Sequence, residues 1–145
     1  MRNPLLSKKL KQTKTRLLII DDNQIGFNQI FDLLNLNEHQ VEGLLLDDLN
    51  SFEKQLHLPW DLVIFGRAYD LRLEQALSLI HASKQPYLPV LLLRPEDYNE
   101  TQYSRYLHKG VYDVVSLHTP DHFYLSLVRA LSFSRLQQNQ SHLLS

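Results

Sequence analysis

The sequence predicts an α/β domain in which a five-stranded parallel sheet carries helices on both faces. Short apolar runs alternate five times with amphipathic stretches, the pattern of consecutive βα units. The fourth run is apolar throughout, as in a strand that is covered on both faces. Right-handed crossovers and the strand order 2-1-3-4-5 of a doubly wound sheet are then expected. At 145 residues, 43% of them hydrophobic, the chain is the size of one domain with its own core.

Five strands are predicted from the apolar runs. They cover residues 16–20, 40–46, 61–65, 89–93 and 111–117. The first strand ends at Asp21-Asp22-Asn23, a group of helix-capping residues, and Pro59-Trp60 precedes the third.

Five helices are predicted between and after these strands. The first two cover residues 24–36 and 47–56, and in the third Leu73, Ala76, Leu77 and Ile80 have the spacing of one buried helical face. The fourth opens at Pro95-Glu96-Asp97 and closes at Gly110, and a long fifth helix starts at Asp121 after Pro120.

Functional side chains in such a sheet collect at the carboxyl ends of the strands. These ends hold Asp21 and Asp22 after the first strand, Gly66 after the third, Arg94 after the fourth and Leu117 late in the fifth. They are the candidate site positions of the chain.

The sequence resembles the receiver domains of two-component response regulators over residues 16–138. The resemblance rests on residues 17–22 (LLIIDD), 61–65 (DLVIF), 88–93 (LPVLLL) and 110–115 (GVYDVV). It implies a flavodoxin-like, CheY-like fold. In active receivers an acidic pair holds magnesium, an aspartate takes the phosphoryl group, a serine or threonine senses it, and a lysine pairs with it.

Carried onto this chain, the resemblance retains only the acidic pair, Asp21 and Asp22. Gly66 stands at the acceptor position, Arg94 at the hydroxyl position and Leu117 at the lysine position. The family's aromatic switch position aligns with Val114, and the usual turn after the acceptor is missing. These departures indicate a degenerate receiver.

The chemistry of phosphoryl transfer indicates that a chain with Gly66 at the acceptor position cannot be phosphorylated there. An acyl phosphate needs a carboxylate nucleophile, and Gly66 has no side chain. Two carboxylates without a third should bind magnesium weakly, so we expect no metal, no cofactor and no enzymatic activity. Asp70, four residues on, is expected to lie out on the loop.

The acidic pair lacks the lysine that usually balances its charge. Asp21 and Asp22 should raise each other's pKa unless a cation is near. We expect Arg67 or Arg94 to close the pocket as an ion pair with one of them. The alternative is that both arginines point into solvent and Asp22 caps the first helix.

The histidines do not support a metal site. His118 and His122 are four residues apart, but Pro120 lies between them and interrupts the helix. The chain has no cysteine, no clustered glycines and no serine in a nucleophile elbow.

The fifth helix has two apolar stripes. One stripe should face the sheet and consists of Tyr124, Leu127, Val128 and Leu131. The other points away from it and consists of Leu125, Phe133 and Leu136. With Tyr98, Tyr103 and Tyr106 nearby, the second stripe predicts a homodimer or protein interface. The alternative is a set of isolated exposed apolar residues.

The charge is uneven along the chain. Six basic and no acidic residues lie among the first sixteen, which predicts a basic arm over residues 1–15. This arm is either a solvated terminus or a contact for nucleic acid or membrane. Binding of nucleic acid is less favoured, because no aromatic residue is interleaved with the basic residues. Without cysteine, and without an apolar run near 20 residues, we expect a cytoplasmic protein that does not span the membrane.

Residues 139–145 read as the start of a linker to a downstream domain. Residues 113–117, with Pro120 and His122, resemble the degenerate receivers of FimX-type cyclic-di-GMP signalling proteins. That resemblance implies dimerisation and placement at the cell pole in type IV pilus motility, with the dinucleotide bound elsewhere. The predicted function is a phosphorylation-independent interaction module, and the alternatives are a sensor of a small ligand or anion in the remodelled pocket and binding through the arm.

Overall fold

The computed structural model describes residues 14–144, with side chains through Asn139. Residues 1–13 of the predicted basic arm lie outside that range. The strands are β1 (Thr15–Ile20), β2 (Val41–Leu46), β3 (Leu62–Phe65), β4 (Val90–Leu93) and β5 (Asp113–Val115). All neighbouring strands are parallel, and their order β2-β1-β3-β4-β5 confirms the prediction.

Within residues 14–144, five α-helices connect or follow the strands. They are α1 (Gln24–Leu36), α2 (Leu49–Gln55), α3 (Leu73–His81), α4 (Tyr103–Lys109) and α5 (Pro120–Leu144). A short 3-10 turn, Glu100–Gln102, precedes α4. None of the helices within residues 14–144 has the length and apolarity needed to cross a bilayer.

Side chains alternate across the sheet, so two cores form on its two faces. Leu17 and Ile19 of β1 face α1 and α5, whereas Leu18 and Ile20 face the opposite core with α2 and α3. The four β1 side chains named are fully buried. The continuous apolar run of the first strand therefore arises because both faces are covered.

The first turns of α4 differ from the prediction. The predicted start at Pro95-Glu96-Asp97 is wrong, because a capping box starts the helical segment later. Asn99 is extended and accepts from Thr101 N, while the Gln102 side chain accepts from Asn99 N. At the other end Gly110 has φ 116° and ends the helix, as predicted.

Strand β5 is shorter than predicted. Ser116 Oγ accepts from His118 N at 3.1 Å, and Ser116 O accepts from Thr119 N at 3.2 Å. These bonds turn the chain over residues 116–119, so the predicted strand over residues 111–117 contains only three strand residues.

The first apolar stripe of α5 is buried as predicted. Tyr124, Leu127, Val128 and Leu131 are at most 6% exposed. Ser134 is the last buried residue of the helix among those whose side chains are described, and the helix continues beyond it to Leu144. Helix α5 thus runs on through the residues that the sequence assigns to a linker.

Candidate functional site

The carboxyl ends of β1, β3 and β4 surround an open cleft of about 870 Å³. Four predicted site positions line it: Asp21, Asp22, Gly66 and Arg94. Leu117 is not among the lining residues. It packs against the α1 and α5 core and borders a smaller cavity of about 340 Å³ next to the cleft. Leu117 therefore belongs to the core side of the sheet.

Gly66 is pressed against the Asp21 carboxylate. A Cβ atom added to Gly66 would lie 2.9 Å from Asp21 Cγ, closer still to Asp21 Oδ2, and 3.2 Å from Ile20 O. Gly66 N donates to Ile20 O at 2.7 Å, which holds the glycine beside the end of β1. Asp21 thus occupies the space into which a side chain at position 66 would extend.

Backbone contacts and burial hold Asp21 in this place. Its Oδ1 accepts from Asn23 N at 2.9 Å, and its own N–H donates to Leu46 O at 3.0 Å. Burial raises the pKa of Asp21 above its ordinary value, the N–H of Asn23 offsets part of this, and the charge of Asp22 raises it further. Neighbouring charge was expected to raise this pKa, but burial is the larger cause.

Asp22 ties the loop after β3 to the loop after β1. Its N–H donates to Arg67 O at 2.8 Å, and its Oδ2 accepts from Tyr69 N at 3.2 Å. It does not cap α1, because that role belongs to Asn23, whose Oδ1 accepts from Ile25 N at 2.9 Å.

The predicted ion pair between an arginine and the acidic pair is wrong. Within residues 14–144, neither Arg67 nor Arg94 forms a salt bridge with Asp21 or Asp22. Arg94 Nη2 lies 3.7 Å from Glu100 Oε1. Both arginines line the cleft, but local partners hold them.

Aromatic rings give each arginine its local partner. The guanidinium of Arg94 lies 5.1 Å from the ring centroid of Tyr98, and that of Arg67 lies 5.8 Å from the ring centroid of Tyr69. An arginine that contacts a ring or carboxylate a few residues away loses less conformational entropy than one that extends across the cleft to Asp21 or Asp22.

The residues of the cleft do not fit the magnesium ion of active receivers. Across the described part of the chain, no three His, Asp or Glu side chains are grouped so that they could hold a metal. Gly66 supplies no ligand, and the backbone holds Asp21 over it. Since magnesium in such sites needs carboxylates in near-octahedral geometry, Asp21 and Asp22 form an incomplete set.

Val114 on β5, which the resemblance aligns with the aromatic switch position of receivers, is a small buried side chain. Val114 is 4% exposed and packs in the core on the α2 and α3 face. A valine here has no ring that could move between a buried and an exposed position.

The predicted interface residues are unevenly exposed. Leu136, Phe133 and Tyr103 are 55%, 39% and 38% exposed, which leaves part of each free to contact a partner. The other three are half-buried, namely Leu125, Tyr98 and Tyr106. Tyr98 and Tyr106 stack on each other with centroids 6.2 Å apart.

Sequence reasoning missed Asp113. Its carboxylate lies between α4 and α5, accepts hydrogen bonds from Tyr103 and Ser126, and lies 3.3 Å from His122 Nε2. The available signal was the spacing of His122 and Ser126, which lie one turn apart on α5 and therefore on one face.

No family model and no curated protein matches the sequence. Solved structures match the fold. The signal receiver domain of an HD domain-containing protein from Pseudomonas fluorescens Pf-5 is 18% identical with a TM-score of 0.67, covering 85% of this chain and 98% of that one.

Two further solved structures agree with the first. One is the receiver domain of a sensor histidine kinase from Pseudomonas aeruginosa PAO1, which has magnesium coordinated in its active-site cleft. It is 17% identical with a TM-score of 0.66, covering 83% and 99% of the two chains. A CheY-like response regulator receiver domain protein from Methanospirillum hungatei JF-1 is 16% identical with a TM-score of 0.67, covering 86% and 99%. The chain therefore has the fold of CheY-like receiver domains.

Proposed function

We propose that this chain is a signalling module of the receiver type that acts through protein contacts and does not accept a phosphoryl group. The observation that carries the proposal is the contact between Gly66 and Asp21. The acceptor position, Gly66, has no nucleophile, and the Asp21 carboxylate fills the space beside it. Leu117 supplies no cation, and the Arg94 guanidinium is paired with Glu100 and not with Asp21 or Asp22. We accordingly propose that the module is not an enzyme.

A phosphorylation assay tests this proposal. The protein is incubated with acetyl phosphate and magnesium, and intact-mass spectrometry measures the gain of a phosphoryl group. A receiver that has the acceptor aspartate serves as positive control. We expect no adduct on this chain, and a stable acyl phosphate on any of its carboxylates would overturn the proposal.

We further propose that a second copy of the chain binds the outward stripe of α5. Phe133 and Leu136 are exposed on that stripe, and the Tyr112 and Phe133 rings, 5.8 Å apart, extend it onto the β5 edge. An exposed apolar strip of this kind is stabilised when a partner covers it.

Sedimentation velocity with charged variants tests the association. We expect Leu136→Asp and Phe133→Asp to shift the protein towards monomer. Leu36→Asp is the matched control, because Leu36 is 85% exposed on α1 and lies outside the stripe. If the wild type is already monomeric, the association proposal fails.

The finer assignment follows the FimX-type resemblance of residues 113–117. On that basis we propose a cytoplasmic interaction and localisation module of a cyclic-di-GMP signalling protein, with a role at the cell pole in type IV pilus motility. A fluorescent fusion of the full-length protein tests this, since uniform distribution in the cell would contradict the polar role.

A second candidate function is ligand sensing in the cleft. Its volume of about 870 Å³ lies within the range of small-molecule sites, and Arg67 and Arg94 line it. A ligand of the folded state must raise the melting temperature, so thermal shifts with a phosphate mimic or a nucleotide test it. No shift at millimolar concentration would contradict this function.

A further inference from the structure

Asp113 joins α4, β5 and α5 through one carboxylate. Its Oδ1 accepts from Tyr103 OH at 2.9 Å and from Val114 N at 2.8 Å. Its Oδ2 accepts from Ser126 Oγ and lies 3.3 Å from His122 Nε2. The Asp113 side chain is only 14% exposed, so these partners replace most of its water.

Helix α4 has few other attachments. It is seven residues long, and none of them is buried. Tyr106 is partly buried against the core, and Lys109 Nζ lies 3.0 Å from Glu74 Oε1 at the surface. A short helix without a buried residue gains little from burial, so single polar contacts carry much of its placement.

The contact with Asp113 also decides which part of Tyr103 is presented to a partner. The hydroxyl donates to Asp113 and the residue is 38% exposed, so we expect a partner to contact Tyr103 through its ring. The hydrogen bond to Asp113 raises the pKa of Tyr103, followed by burial as the second cause, so the phenol remains a donor.

We infer that Asp113 is a positioning residue that holds α4 at the sheet edge and presents the Tyr103 ring beside the α5 stripe to a second copy of the chain. The surface so formed is aromatic and apolar. Its complement on the second copy is therefore also apolar, as the exposed Phe133 and Leu136 are. The placement of α4 stands on its own contacts, whereas the consequence for association rests on the proposed function.

Hydrogen exchange of the protein at a concentration where it is monomeric tests the placement. Tyr103→Phe removes only the hydroxyl, and we expect amides in the second half of α4 to exchange about fivefold faster, the effect of one lost hydrogen bond. Tyr69→Phe is the matched control, because Tyr69 is 84% exposed and its hydroxyl has no partner among the described residues.

The exchange rates in the other elements show whether Tyr103→Phe acts on the placement of α4 or on the stability of the whole domain. Exchange in α3 and in the β1 and β3 strands is expected to remain at the wild-type rate in Tyr103→Phe. Unchanged exchange in α4, or an equal increase in every element, would overturn the inference.

Association is measured separately on the same variants. We expect Asp113→Asn and Tyr103→Phe to weaken self-association severalfold, while Tyr69→Phe does not. If α4 exchange responds but the variants associate like wild type, the role at the interface is wrong and the placement stands. If wild type does not associate at all, the proposed dimer fails, and the exchange result still decides the role of Asp113 in placing α4.

Discussion

The two ends of the sheet treat polar side chains in opposite ways. At the carboxyl ends, Asp22, Arg67 and Arg94 are exposed. Asp22 accepts from Tyr69 N on the loop after β3, and each arginine lies near a tyrosine ring of its own loop. At the amino ends, Thr15 and His39 are 0% and 2% exposed and are hydrogen-bonded to each other. The carboxyl ends thus leave these charged side chains open to solvent, while the amino ends hold polar groups inside the fold.

The buried contacts at the amino ends connect distant parts of the chain. His39 Nε2 lies 2.8 Å from Thr15 Oγ1, and His39 Nδ1 lies 3.2 Å from Tyr124 OH on α5. Arg135 Nη2 donates to Thr15 Oγ1 at 3.3 Å and lies 4.0 Å from Asp61 Oδ2. Burial lowers the pKa of Arg135, and Asp61 offsets part of that effect. Because each group is far from its partners in sequence, this cluster stabilises the tertiary structure.

The largest expected effect is at the amino ends. We expect His39→Ala to lower the free energy of unfolding by about 2–4 kcal/mol, since it removes buried hydrogen bonds to Thr15 and Tyr124 and leaves a cavity. Urea unfolding measures the change, with the exposed His57→Ala as control. Equal stability of the two variants would contradict the claim that the buried polar contacts at the amino ends stabilise the fold.

An intermediate effect is expected at Gly66. The Cβ of Gly66→Ala would overlap the Asp21 carboxylate, which should cost about 1–3 kcal/mol of stability. Gly26→Ala is the control, because a Cβ there meets Asp21 Oδ2 at 3.5 Å, an ordinary contact. That change lies inside α1 and should stabilise by about 0.5–1 kcal/mol.

A double-mutant cycle attributes the cost at Gly66 to Asp21. In an Asp21→Ala background, Gly66→Ala should lose most of its destabilising effect, measured by the same urea unfolding. Additive effects of the two changes would show that Asp21 does not occupy this space.

The smallest expected effect concerns the charge of Asp21. Because its pKa is raised in the folded state, that state binds the proton more tightly, and stability falls as pH rises from the ordinary carboxyl pKa through the raised one. Asp21→Asn should therefore raise the free energy of unfolding at pH 7 by less than about 1 kcal/mol, because solvent screens the charge. The melting temperature should rise accordingly. Thermal scans at pH 7 and below about pH 3, where the acid is largely protonated in both states, measure it. A gain that persists at low pH would contradict a charge effect.

The fold was predictable because its signals are local. The apolar runs of β1 and β4 and the periodicity of Leu73, Ala76 and Ile80 each follow from which side chains must be buried. The late start of α4 was also readable, since Asn99 and Gln102 have the spacing of a capping box. The site was predictable only in part. Asp21, Asp22, Gly66 and Arg94 line the cleft as expected, but Leu117 does not. The contacts of Arg67 and Arg94 were not predicted, because nearby rings and Glu100 compete with the acidic pair.

By itself the sequence determined the alternation of strands and helices and the glycine that directly follows the third strand, Gly66, because each depends on residue type and near-neighbour spacing. Only the tertiary structure decided that Asp21 covers Gly66, that His39 bonds to Thr15 and Tyr124, and that Asp113 joins α4 to α5. Those contacts link residues that lie far apart along the chain or on different elements. Their partners are set by where the parallel strands end and how the helices pack, and residue spacing alone does not encode that arrangement.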